Sequence, residues 1–474
     1  METSVENIRF FNDLPRKKER FIPLERGKVK IYTCGPTVYD FSHIGNFRAF
    51  IFEDLLRRWL EYRNFKVTQV MNITDVDDKT IKATRNKRIS LKEYTKHYTR
   101  TFFEDMATLN IEKAEHYPRA TEHIPEMVAL VKKLMEKGYA YRGEDGSIYY
   151  NISKFKGYGK LSKVKVEKLK TGARVKVDEY GKEEARDFAL WKAWDKDDGD
   201  VFWETELGKG RPGWHIECST MAMKYLGETL DIHCGGVDNI FPHHENEIAQ
   251  SEAATGKRFV RYWLHNEYLL VEGRKMAKRL GNYYTLRDLL AKGYGAKAIR
   301  YLLMSTHYRQ QLNFTFDGLE ASKNAVDRLI NFMYRLMDAD GKGCGEKTKA
   351  LQVDVQKRFE EAVDDDLNIS VALAVLFEFV REVHKLLDDN MLSKEEAERF
   401  YELMMKFDRV LGVIGEVRKK EKLSKEAEEL IQRREEARKA MNWETADRIR
   451  EQLKSMGVLI EDTPQGVKWR IEKR

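Results

Sequence analysis

The sequence predicts an α/β protein built on a parallel sheet, and three observations predict it. Residues 28–34, KVKIYTC, alternate as a strand does, with Val29, Ile31 and Thr33 on one side. From Asn46 to Asn64 the residues Phe47, Phe50, Ile51, Leu55, Trp59 and Tyr62 recur at three- and four-residue steps, which is one face of a helix. Residues 65–74, FKVTQVMNIT, return as a second strand. Strand, helix and strand in that order make a βαβ unit of Rossmann type. Its strands run parallel, and its ligand crevice opens at their C-terminal ends.

The remaining elements follow in order. Helical patterns run to about 113, and 119–138 is a further amphipathic helix. YAYRGEDGSIYYNI reads as a hairpin turning at Glu144-Asp145-Gly146. The stretch 140–200 is rich in turns and charge and reads as an inserted α+β segment. From 226 the α/β pattern returns, with LDIHCGGVD a strand running into a Gly-Gly turn and HHENEIAQSEAAT a helix. From about 320 the chain is helical, and 369–387 is strongly apolar on one face. The charged stretch 416–429 reads as a linker into two helices that meet near Asn442-Trp443, with Gly457 closing the second. VLIED, a turn at TPQG and VKWRI close the chain as a hairpin. The expected divisions are 1–114 and 201–319 for the α/β body, 115–200 for the insertion, 320–415 for a helical bundle and 416–474 for a small C-terminal domain.

Composition narrows the function classes. Of 474 residues 42% are hydrophobic and 34% charged, and no run approaches the eighteen or so apolar residues of a membrane span. The start, METSVENIRFF, lacks a basic and apolar leader, so no signal peptide is expected. Four cysteines, Cys34, Cys218, Cys234 and Cys344, stand at irregular distances. That argues against a disulfide framework and for a reducing, cytoplasmic setting with metal-binding or catalytic thiols. Net charge is +7, from 85 basic and 78 acidic residues, which permits an anionic partner such as RNA without demanding one.

The chemistry concentrates in three places. In CGPTVYDFSHIGN, 34–46, His43-Ile44-Gly45-Asn46 falls between a strand and a helix N-terminus, where backbone amides and the helix dipole favour an anion. Gly45 lets a flat base or a phosphate approach the backbone, and His43 and Asn46 can donate to a phosphate. A polar loop that merely caps the helix would use the same residues. In EGRKMAKRLGN, Lys275 and Lys278 lie between Gly273 and Gly281 as a basic loop able to clamp a polyphosphate. A solvated basic loop has the same composition. The third group is Cys34, Cys218 in GRPGWHIECSTM, and His243 with Glu247 in FPHHENEIAQ. The i,i+4 spacing puts His243 and Glu247 on one face of a helix beginning after Pro242. Two thiolates, an imidazole and a carboxylate are a reasonable zinc set. His244 is a rival ligand, since it reaches Glu247 at i,i+3. Both cysteines could equally serve as small buried hydrophobes. HHENE lacks the second histidine of HExxH, which disfavours a zinc protease.

An early His-Ile-Gly-x with a late Lys-Met-x-Lys-x resembles HIGH and KMSKS, the two signatures of class I aminoacyl-tRNA synthetases. Taken with MNITDVDDK, GRPGWHIECS, FPHHENEIAQ and KMAKRLGN, the sequence closely resembles the cysteinyl-tRNA synthetase family. The likeness runs from FFNDLPRKKERFIPL to ADRIREQLKSMGVLIEDTPQGVKWR. It implies that cysteine is activated with ATP, with Mg2+ assisting, and passed to the 3′ end of tRNA(Cys). It implies one zinc ion on Cys34, Cys218, His243 and Glu247 that recognises the substrate thiol. It also implies Thr74, Trp214 and His233 in the cysteine pocket, Asp238 at the ATP ribose, and His43, Asn46, Lys275 and Lys278 on the phosphates. Residues 416–474, with Trp443, Trp469 and many basic side chains, would read the anticodon. The insertion is short for an editing domain, and a monomer is expected.

Four positions depart from the family pattern. Asn46 stands where HIGH has its second histidine, Ala277 and Arg279 replace both serines of KMSKS, and Cys234 stands where glycine is common. Cys234 is expected to be a buried bystander. Two rival readings are a ligase that joins cysteine to an amino sugar and a zinc-stabilised RNA-binding protein without catalysis. The tail argues against the first, and the paired His43 and Lys278 loops argue against the second.

Overall fold

Strand β1 (Lys28–Thr33) leads through helix α1 (Ile44–Tyr62) to β2 (Lys66–Met71), which pairs parallel with β1, Lys28 opposite Lys66 and Thr33 opposite Met71. In the computed structural model, residues 7–164, 174–175, 186–417, 424–463 and 466–471 are described. Much of the insertion, the centre of the expected 416–429 linker and the turn residues Pro464 and Gln465 lie outside them.

Helix α2 (Trp214–Leu226), strand β3 (Leu230–Gly236), helix α3 (His243–Thr255) and strand β4 (Val260–Asn266) complete the body. The sheet order is β4-β3-β1-β2, all neighbours parallel. The order reverses between β1 and β3, so their C-terminal ends frame the crevice of a doubly wound sheet. Cys234 pairs with Thr33 at that point. Gly235 and Gly236 do not turn, as the sequence suggested. They continue β3 opposite His265 and Asn266.

The core forms where the period-2 and period-3.6 patterns meet. Tyr32, Val70, Met221, Ile248 and Trp263 are buried together between the sheet and α2 and α3, and α1 buries Phe47, Ile51 and Trp59. Helix α1 also buries charge, which must be paired to be tolerated. Asp54 accepts hydrogen bonds from Arg58 Nε at 2.8 Å and Arg300 Nη2 at 2.5 Å, and Arg300 Nε donates to Leu411 O at 2.7 Å.

The insertion carries a sheet that is mostly antiparallel. It begins with the hairpin Ala140–Arg142 and Ile148–Tyr150 and runs past residue 200. Strand Gly208–Pro212 pairs with Asp187–Ala193, and Trp203–Thr205 forms an edge. Only Gly213 separates this sheet from α2, and a Cβ there would fall 2.1 Å from Ala189 O.

Four long helices, Phe316–Met337, Glu346–Asp364, Ile369–Asp388 and Lys394–Leu411, follow the sheet. The chain divides into two compact units at Gly415 and Glu416. In the smaller, helices Lys425–Lys439 and Trp443–Ser455 pack with the hairpin Val458–Thr463 and Gly466–Ile471. Leu430, Ile449, Leu453 and Ile460 form its core, with Trp469 against them. Trp443 is 58% exposed, with the Arg438 guanidinium 5.9 Å from its ring centre. Among the described residues no helix is long and apolar enough to cross a membrane.

Candidate active site and metal centre

A cavity of about 400 Å³ opens at the C-terminal ends of β1 and β3. Cys34, His43, Asn46, Thr74, Trp214, Cys218, Asp238, His243 and Lys275 all line it. His233, Glu247 and Lys278 do not.

Ligand atoms of Cys34, Cys218, His243 and Glu247 lie within 4.8 Å of one another, and so do those of Cys34, His233, His244 and Glu247. Hydrogen bonding distinguishes the two groups. Both ring nitrogens of His244 are engaged. Nε2 lies 3.2 Å from Cys34 Sγ, and Nδ1 lies 2.8 Å from His265 Nε2, whose ring reaches Asp13 Oδ2 at 2.7 Å. His233 Nε2 lies 3.0 Å from Glu247 Oε2, one layer behind the cavity. His243 differs. Its Nδ1 meets His215 Nδ1 at 3.0 Å, but its Nε2 is buried without a hydrogen-bond partner among the described residues. Glu247 Oε1, 3.1 Å away, also lacks one. Two orphaned polar atoms converging beside two thiols are costly in an apolar interior unless a cation sits between them. The donor chemistry suits zinc. Without a cation, burial and the neighbouring Cys218 and Glu247 push the Cys34 thiol well above its ordinary range. Burial lowers His243 to about 3.

The surroundings hold these side chains in place. Trp214 stacks on the His243 ring, with centres 3.9 Å apart and planes 22° apart. A Cβ on Gly235 would lie 2.8 Å from His244 Cε1, so the strand can close on the imidazole only at a glycine. The ends of β1 and β2 are tied by Asn72, whose Oδ1 accepts from Gly35 N–H at 2.9 Å and whose Nδ2 donates to Thr74 Oγ1 at 3.0 Å.

On the other side of the cavity His43 caps α1. Asn46 N–H donates to His43 Nδ1 and His43 N–H donates to Asn46 Oδ1, each at 3.1 Å. Capping and ligand binding are therefore compatible. With Nδ1 accepting, the ring proton belongs on Nε2. Burial, together with the nearby Lys278, lowers His43 to about 4 and keeps the ring neutral. A Cβ on Gly45 would lie 2.9 Å from His43 Nδ1 and 3.3 Å from Met276 Cε. Asp238 Oδ1 accepts from the Tyr268 hydroxyl at 2.6 Å, which pushes that hydroxyl up to about 12. Lys275 Nζ sits 5.0 Å from the Tyr268 ring centre. Lys278 is ion-paired with Asp40 and lies 5.0 Å from the Tyr283 ring centre.

Sequence reasoning missed Asn72, His215, His265, Asp40 and Glu53. Glu53 lines the cavity two turns into α1. Neither of its carboxyl oxygens has a partner among the described residues, and burial holds its carboxyl well above the usual range. Its one available signal was a charge beside the apolar stripe of α1.

This fold defines a class I aminoacyl-tRNA synthetase. The family described as tRNA synthetases class I (C) catalytic domain matches residues 20–324, the DALR domain 358–415, and the cysteinyl-tRNA ligase anticodon binding domain 420–470. The fold is shared with Mycobacterium tuberculosis methionyl-tRNA synthetase in complex with methionyl-adenylate. The TM-score is 0.59 at 14% identity, over 82% of this chain and 90% of that one. The cysteine–tRNA ligase of Protochlamydia amoebophila is 51% identical over 472 residues, covering 98% of this chain and 99% of its own. That of Brachyspira hyodysenteriae is 50% identical over 479 residues, covering 98% and 100%. The chain belongs to the cysteinyl-tRNA synthetase family.

Proposed function

We propose that this enzyme activates L-cysteine with ATP and transfers it to tRNA(Cys) at the cavity between β1 and β3, with zinc selecting the substrate thiol. The observation that carries the zinc reading is the convergence of His243 Nε2 and Glu247 Oε1, both buried and without a hydrogen-bond partner among the described residues, beside Cys34 and Cys218.

Cys34, Cys218, His243 and Glu247 would hold the zinc, and His233, hydrogen-bonded to the other Glu247 oxygen, would orient that carboxylate. Zinc supplies a site that takes sulfur as thiolate, which serine's hydroxyl cannot match at neutral pH. Serine would therefore be rejected without an editing site. Thr74 and Trp214 line the same cavity and would bound the cysteine.

Activation requires the cysteine carboxylate oxygen to attack the α-phosphorus of ATP while the bond to the β-phosphate oxygen breaks and pyrophosphate leaves. The protein's contribution is positioning and charge stabilisation. His43 Nε2–H and the Asn46 amide would donate to the phosphates, Lys275 and Lys278 would neutralise them alongside Mg2+, and Asp238 would hold the ribose. In the second step a terminal hydroxyl of tRNA attacks the activated carbonyl and AMP departs.

Residues 1–114 and 201–319 would form the catalytic domain around the connective segment 115–200, and 320–415 would support it. Residues 416–474 would read the anticodon, in agreement with the domain matched at 420–470. That match also counts against an amino-sugar ligase. Four free cysteines fit a cytoplasmic setting, and the enzyme would act there as a monomer. The deciding experiment is cysteine-dependent ATP–pyrophosphate exchange measured with zinc content. Exchange with one zinc per chain is expected, and absence of exchange would sink the reading.

A further inference from the structure

Helix Asp78–Lys87 begins at the cavity, where Lys79 forms part of the wall, and none of its later residues lines it. Residues 79–88 hold five basic side chains and no acid, although the whole chain is nearly balanced at 85 basic and 78 acidic. Lys79, Lys82 and Asn86 recur at three- and four-residue steps and are exposed, so they share one open face. Lys87 and Arg88 are exposed at its end. The helix dipole accounts for cations in the last turn, but not for Lys79 in the first or Lys82 in the middle. Arg85 is paired with Asp197 at 3.1 Å. Lys82, Lys87 and Arg88 have no carboxylate partner among the described residues. The face is fixed to the rim of the cavity at both ends. Lys79 Nζ lies 5.8 Å from the ring centre of Tyr39, and Lys87 Nζ lies 5.2 Å from that of Tyr94, whose hydroxyl donates to Tyr39 O at 2.6 Å. Tyr39 itself lines the cavity.

Exposed cations of one sign, left unneutralised on a rigid surface, attract a polyanion. The ten-residue helix is about 15 Å long, which is the rise of about four nucleotides along one strand. ATP is already provided for inside the cavity. The other substrate, tRNA, has to bring its 3′-terminal hydroxyl into that cavity from outside, so this inference rests on the reading above. We propose that the face carrying Lys79, Lys82, Lys87 and Arg88 binds phosphates of the tRNA acceptor arm and leads its 3′ end into the cavity. Tyr94 and Tyr98 beside it are buried and offer no surface for stacking. The contact is therefore with the RNA backbone, and it supplies affinity and register without reading sequence.

The test combines Lys82→Gln, Lys87→Gln and Arg88→Gln in the full chain and leaves Lys79 alone, because it lines the cavity. Charging of tRNA(Cys) is measured at several salt concentrations, together with binding of an acceptor-arm RNA hairpin that has no anticodon. The KM for tRNA should rise about ten- to fiftyfold with kcat nearly unchanged, and the slope of log kcat/KM against log salt should shrink by about two. Hairpin binding should weaken by a similar factor. Lys82→Arg with Lys87→Arg keeps the charge and should behave as the unaltered enzyme. An unchanged KM and salt slope would overturn the proposal. So would a loss seen with tRNA but not with the hairpin, which would place the contact elsewhere on the RNA. A raised KM for ATP in pyrophosphate exchange would overturn it too, by giving the face to the nucleotide. Should the triple variant fail to fold, Lys82→Gln alone decides, with a slope smaller by about one expected and an unchanged slope overturning the idea. No exchange or charging by the unaltered enzyme would instead overturn the functional reading and take this inference with it.

Discussion

Lys278 of the KMAKR loop is ion-paired with Asp40, a residue of the segment joining β1 to α1. Both side chains are partly open to solvent, 60% and 31%, so the pair is weak and screened by salt. Asp40 lines the cavity, so the pair holds the ammonium on a carboxylate of the cavity wall. Lys278→Ala should slow single-turnover cysteine activation by roughly 10²–10³ while cysteine affinity stays nearly constant. Asp40→Asn should release the lysine and lower the KM for ATP severalfold. An unchanged activation rate in Lys278→Ala would make the loop a bystander.

The metal set makes a sharper claim, because it separates two adjacent histidines. Cys34→Ser, Cys218→Ser and His243→Ala should each lose zinc and cysteine activation together. His244→Ala should retain zinc, since both nitrogens of that ring already have partners. Metal analysis of purified variants decides it, and stoichiometric zinc in the Cys34 and Cys218 variants would refute the assignment.

His43 provides a pH prediction. Its folded-state value, about 4, lies below the ordinary 6.5. Between those values the unfolded chain binds the extra proton, so stability from the neutral ring is present above pH 6.5 and is lost as pH falls toward 4. Nitrogen-15 NMR should find the ring neutral and protonated on Nε2 from pH 5.5 to 8. A midpoint near 6.5 would contradict the desolvated cap.

The two tryptophans of the small unit should behave differently. Trp443, exposed beside Arg438, is free to stack on a base. Trp443→Ala should weaken tRNA charging and leave thermal unfolding unchanged. Trp469 packs against the hydrophobic core of the unit, so Trp469→Ala should lower the unfolding temperature of the unit. Deleting 416–474 should spare pyrophosphate exchange and abolish most charging. A folded truncation that charges tRNA normally would disprove the division of labour.

The parts of this molecule that could be read from sequence were those governed by local period. Strand β1, helix α1 and strand β2 announce themselves through alternation and a four-residue stripe, and His43 falls between them by necessity. Trp203–Thr205 was not legible as a strand, because three residues carry too little alternation to register. The Gly-Gly at 235–236 read as a turn from composition, whereas it continues β3, with Gly235 serving the close approach of His244. The residues behind the proposed metal ligands were invisible for another reason. His215 meets His243 across 28 positions, and Asp13 meets His265 across 252. No local pattern encodes such pairings. Glu53 was missed because a buried polar group without a partner is a property of the fold and not of its neighbours in the chain.

Gly213 couples two parts of the protein that would otherwise vary separately. The inserted sheet ends at Pro212 and the helix carrying Cys218 begins at Trp214, so a single residue is the whole hinge between them. One residue added or removed there would turn the helix by about 100° and carry the Cys218 thiol away from Cys34. Lineages and engineers are therefore free to lengthen the insertion at its far tips, but its root is fixed in register with the centre proposed to recognise the amino acid.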